Sequence, residues 1–157
     1  MTRPIPYIDT EVSAVRSIAE IEEIIAAHAR NVSMMKRVES GRITAVAFEM
    51  EGVGYQLPGR VENVYQAMLA GKLRQSNGGS YRSSKEKQAA LYAQAERCAW
   101  RNVAMHVKST LAMVEIGMVT VSEVFMPYML TDSGETVYER LMAGGFPALM
   151  APKDAQP

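Results

Sequence analysis

Cys98 and His106 are the side chains of this chain best suited to nucleophilic chemistry, and both stand in one stretch, ERCAWRNVAMHVKST. A thiolate activated by a neighbouring imidazole could attack a carbonyl or phosphoryl centre. The apolar residues around them repeat at helical spacing, however, and eight residues of helix span about 12 Å. That separation keeps thiol and imidazole apart, so Cys98 reads as a small packed helix residue. His28 lies near a predicted helix C-terminus, where it complements the dipole. One cysteine and two histidines exclude a multi-cysteine metal site. Glu49 and Glu51 alternate on one predicted strand face and could meet a hard cation, with a solvated face or an ion pair as the plainer reading. No Walker A, GxGxxG or HExxH pattern is present, and no cofactor is expected.

A third chemistry is phosphate and base contact. Lys72, Arg74, Arg82, Lys85, Lys87, Arg97, Arg101 and Lys108 surround Tyr81, Tyr92 and Trp100. A basic groove interleaved with aromatic rings is what single-strand binding uses. Arg97, Arg101 and Lys108 step by four and seven and share a helix face. They would meet phosphates, while Tyr81 or Tyr92 would stack on bases. The plain alternative is that Trp100 anchors the core and the cations form an ordinary solvated face.

Charge distribution sharpens that question. The 157 residues hold 17 Lys plus Arg and 17 Asp plus Glu, for no net charge. A sequence-independent DNA coat would be basic throughout. Along the chain the balance is uneven. Residues 71–108 carry eight basic and two acidic side chains, whereas 1–70 and 109–157 are net acidic. Twelve methionines suit gap filling in a core, or an adaptable contact surface.

The elements that must position these residues read as α+β: an N-terminal helix and a small antiparallel β-sheet packed on one long helix, with short C-terminal helices. A short strand is expected at Glu11–Val15. Ser17 with Glu20 forms a capping box opening a helix to about Ala29, striped by Ile18, Ile21, Ile24 and Ile25. Arg42–Met50 reads as a strand with Ile43, Ala45, Ala47 and Glu49 on one face. Val53–Leu57 follows as its hairpin partner beyond Glu51-Gly52. Val61–Ala70 reads as a helix ending at Gly71, and 71–84 as a flexible basic loop. Lys85 to about Ile116 is the long helix: Leu91, Ala95, Ala99, Val103, Val107, Leu111 and Val114 recur at steps of four and three, and Gly117 ends it. Thr120 with Glu123 caps a helix to Leu130 that Pro127 bends or shortens, and Thr136–Ala143 is the last helix. The length suits a single domain over 1–157, with ragged termini at 1–10 and 146–157. Neither a signal peptide nor an apolar run of membrane length stands out, so a cytoplasmic, reducing compartment and no membrane partner are expected.

The segments VRSIAEIEEII, ITAVAFEMEGVGYQLP, AERCAWRNVAMHVKSTLAMVEIGMVTVSEVFMPYML and DSGETVYERL follow one another over about residues 13–142. In this order they resemble an uncharacterised family of small proteins encoded by bacteriophages and mobile elements. The resemblance rests on Phe48-Glu49-Met50 before a Leu-Pro, and on Arg97, Trp100 and Arg101. Val114, Glu115, Gly117, Thr120, Glu123, Phe125 and Tyr128 complete it. The strand pair here ends in a single Leu-Pro, and Cys98-Ala99 precedes Trp100, both departures from the family pattern. The resemblance implies a phage or integrated-element product in a bacterial cytoplasm, with no activity carried over. The expectation is a non-enzymatic accessory protein engaging DNA or RNA through the basic loop and helix face. The alternative is a protein-binding module, an inhibitor or adaptor acting on a host or phage protein; self-association is a further option.

Overall fold

The computed structural model describes residues 4–29, 31–75 and 85–144, with backbone alone for 72–75. Ser13 Oγ accepts the Arg16 amide at 3.2 Å and opens helix α1, Ala14–His28. The helix thus starts one turn before the Ser17–Glu20 box that the sequence suggests. Ala14 packs against the core in phase with Ile18, Ile21 and Ile25, so the apolar stripe continues upstream. Ser17 is buried within α1 and its amide bonds to the Ser13 carbonyl at 3.0 Å. The strand expected at Glu11–Val15 does not form, because these residues hold a bend and the helix cap. Glu20, released from capping, is left to find a partner elsewhere.

Three antiparallel strands follow in the order β1 (Ser33–Glu39), β2 (Arg42–Met50) and β3 (Val53–Pro58). Ser40-Gly41 and Glu51-Gly52 join them, each with both residues at positive φ, the pattern of the tight turns that suit hairpin twist. β1 escapes the sequence reading, since SMMKRVE is largely exposed and carries little alternation. Val46, Phe48 and Met50 of β2 are buried in the main core, as alternation predicts. Ile43 packs there too, although parity would place it with Ala45. The ladder explains this: Arg37 pairs with Ala45 but Val38 with Ile43, leaving Thr44 as an extra residue. That bulge turns Ile43 inward.

Helix α2 (Val61–Gln75) runs through Gly71 instead of ending there. The expected loop 71–84 therefore begins as helix, and its residues 76–84 lie outside the described ones. Helix α3 (Lys85–Glu115) is the spine. Its Trp100, Ala104, Val107 and Leu111 join α1 and the sheet in the main core. Leu91, Ala95 and Cys98 join Met68 of α2 in a second, smaller cluster. Gly117, at φ +76, ends α3 with its amide on the Val114 carbonyl and the Met118 amide on that of Met113, a Schellman motif.

Thr120 and Glu123 cap each other at the start of α4, Val121–Phe125. Pro127 then tightens the chain into a 3-10 turn at Met126–Tyr128, well short of Leu130. Thr136 and Glu139 repeat the box at α5, Val137–Ala143. Between them the Leu130 amide bonds to the Gly54 carbonyl at 2.8 Å, so this segment covers the free edge of β3. The architecture is α+β, with the sheet and α1 packed on the long α3.

Candidate nucleic-acid interface

α3 carries six of the ten residues that the sequence assigns to phosphate and base contact, and their surroundings divide them. Arg101 Nη1 lies 2.6 Å from Glu20 Oε2 on α1, with both side chains mostly buried. Lys108 Nζ approaches the other oxygen of the same carboxylate at 3.8 Å from a far more exposed position. One acid thus neutralises part of the charge of two cations. Arg97 bonds through Nε and Nη2 to the Gln94 side-chain carbonyl, a neutral partner. The Gln94 amide nitrogen is itself held by the Ile8 and Thr10 carbonyls at 2.7 and 3.1 Å.

Tyr92 sits between two neighbours. The Arg42 guanidinium lies 4.2 Å from its ring centroid, and the Tyr65 ring is 5.2 Å away and tilted. A cation on an aromatic face is a favourable contact, so a base stacking on that face has to displace Arg42. Lys85 and Lys87 are exposed in the first turn of α3. Lys72 and Arg74 occupy the last turns of α2, while Tyr81 and Arg82 lie outside the described residues. Trp100 is fully buried in the main core.

The nucleophile and metal candidates are also separated. The Cys98 thiol is buried and donates to the Pro6 carbonyl at 3.2 Å. Burial pushes it above the ordinary thiol value, with the Asn102 hydrogen bond opposing. His106 is exposed and meets Phe125 edge-on. His28 Nδ1 bonds to the Ile24 carbonyl at 2.8 Å at the end of α1. Glu49 is exposed on β2, and Glu51 lies at positive φ in the following turn. Among the described residues, no three His, Cys, Asp or Glu side chains gather as metal ligands, and no helix is long and apolar enough to cross a membrane.

Sequence reasoning missed two site residues, Glu20 and Arg42. Glu20 lies 81 positions from Arg101, beyond any local pattern. Arg42 stands at the start of β2 and meets Tyr92 of α3, a residue far from it in sequence and beyond any local pattern. No family model, curated protein or solved structure matches this chain.

Proposed function

We propose that the chain is a non-enzymatic accessory protein of a bacteriophage or mobile element. It engages nucleic acid through the end of the α2–α3 pair, in the cytoplasm of a bacterial host. The concentration of cations in residues 71–108 carries this reading. Within that segment Arg101 and Lys108 are tied to Glu20 and Arg97 to Gln94, while Lys72, Arg74, Lys85 and Lys87 stand on the two helix ends that flank residues 76–84. Phosphate neutralisation by several such cations gives affinity that falls steeply with salt. The test is fluorescence anisotropy with labelled single- and double-stranded oligonucleotides at about 50 and 200 mM salt, a span over which multi-phosphate contacts weaken by orders of magnitude. The double variant K85E/K87E should lose most of the affinity at the lower salt. Absence of binding there, or binding indifferent to salt, overturns the reading.

A protein-binding module is the second reading, and one observation favours it. Tyr138, Leu141 and Met142 recur at helical spacing on α5 and are all exposed, as is Met126 in the adjoining turn. Salt-insensitive capture of one stoichiometric partner that Leu141→Asp abolishes would support this reading over the first.

A further inference from the structure

The middle of α3 borders an open cleft that the nucleic-acid reading does not use. Its volume is about 390 Å³, and it lies between the first turns of α1, the β1–β2 turn and α3. This is within the size range of small-molecule sites. Ile18, Ile43 and Ala93 supply apolar lining, Arg42 and Arg97 supply cations, and Glu96 supplies a carboxylate. Arg97 also borders a neighbouring cleft against residues 8–11.

The two guanidiniums differ from the other cations of this face. Among the described residues, neither Arg42 nor Arg97 has a carboxylate within 4.0 Å, whereas Arg101, Lys108 and Lys36 each do. Arg42 rests on the Tyr92 ring, and Arg97 is anchored by neutral Gln94. Both contacts orient a guanidinium without neutralising it. Arg42 and Arg97 both line the cleft, and guanidiniums in a pair match the terminal oxygens of a phosphate better than those of a single carboxylate. Ser13 caps α1 at the same cleft, so the positive end of the helix dipole adds to this field. Glu96 has the opposite effect: it repels a polyanion and accepts hydrogen bonds from hydroxyl or amino donors. The apolar patch covers a planar or aliphatic body.

We propose that this cleft binds a phosphate monoester with a small body bearing hydroxyl or amino donors, the chemistry of a nucleoside monophosphate. Arg97 and Arg42 hold the phosphate, Glu96 receives a donor of the body, and Ile18, Ile43 and Ala93 cover its apolar surface. Such a group comes either as a free nucleotide or as the phosphorylated 5′ end of a strand. The site does not rest on the nucleic-acid reading, because it lies two to three helical turns along α3 from Lys85.

Isothermal calorimetry on the full chain at low salt tests the proposal with adenosine monophosphate, adenosine, inorganic phosphate, and a dinucleotide with or without its 5′ phosphate. The monophosphate should bind at least tenfold more tightly than adenosine or phosphate alone. Arg97→Gln and Arg42→Gln should each cut that affinity at least tenfold while thermal melts show a folded chain, and K85E/K87E should leave it unchanged. A 5′-phosphorylated dinucleotide that matches the monophosphate identifies a strand end, and one that binds much more weakly identifies a free nucleotide. Equal binding of adenosine and its monophosphate, phosphate alone binding as well as the nucleotide, or wild-type affinity in both folded arginine variants overturns the proposal.

Discussion

Replacing Glu20 by glutamine tests what holds the middle of α3 and whether its cations are available to phosphate. The substitution keeps shape and removes one charge. Two unit charges about 4 Å apart attract by roughly 4 kcal/mol at an effective dielectric constant near 20. Desolvation of a pair whose side chains are only 20% and 28% exposed offsets much of that. The Lys108 contact, at 3.8 Å and 63% exposed on the lysine side, adds a few tenths of a kcal/mol at most. A net loss of about 2 kcal/mol is expected, close to the value of a hydrogen bond to a charged group. For a chain of this size it lowers Tm by roughly 4–8 °C. Calorimetric melts at low and high salt give the measurement. The Lys108 part should fade with salt, whereas the Arg101 part should persist because it is shielded. A double-mutant cycle of Glu20→Ala with Arg101→Ala should return a coupling of about 1–2 kcal/mol. A Tm change below about 2 °C (under roughly 1 kcal/mol), or one that vanishes in salt, would refute the reasoning. The same variant bears on function. If the middle of α3 met phosphate, freeing Lys108 would steepen the salt dependence of binding by about one phosphate contact. Contact at the α2–α3 end leaves the slope unchanged.

Four further outcomes follow from local geometry. A methyl group at Gly59 would stand 2.6 and 2.8 Å from Cζ2 and Cε2 of the fully buried Trp100 ring. Gly59→Ala should therefore cost about 1–3 kcal/mol; Gly71→Ala, with nothing within 4 Å inside α2, should gain about 0.5–1 kcal/mol in the same melts. Capping by the Thr120 and Thr136 backbone and hydroxyl groups holds the Glu123 and Glu139 carboxyls below the ordinary glutamate value. Their contribution is complete above the unfolded value of about 4.3 and is lost as pH falls through the lowered folded ones. In a carboxyl NMR titration, Thr120→Ala should move the Glu123 midpoint up while Glu139 stays. The buried Cys98 thiol should resist a disulfide reagent at pH 8 in the folded chain and react on unfolding; rapid reaction without unfolding would contradict its burial.

The long helix and its end were legible because their causes are local. The four-residue repeat from Leu91 to Leu111 and the glycine at 117 act within a turn or two of where they stand. Both C-terminal capping boxes occur within elements that the sequence marks. The box misplaced at Ser17 shows the limit of such patterns. Ser-x-x-Glu occurs there, but Ala14 and Ile18 already face the core, and burial of that stripe outweighs one cap. Gly71 misleads for a similar reason, since Met68 on one side of it is buried against α3 and the helix carries on past it.

The sequence by itself determined the α+β class, the spine α3, the β2–β3 hairpin and the concentration of positive charge in 71–108. Periodicity, turn residues and charge counts need no partner from elsewhere in the chain. Only the tertiary structure decided that two of those charges, Arg101 and Lys108, are paired with an acid. Arg101 and Lys108 meet Glu20 because α1 packs beside α3, and Arg42 reaches Tyr92 because β2 shares the main core with the same helix. Ion pairing depends on distances of a few ångströms between residues far apart in sequence, and packing alone sets those distances.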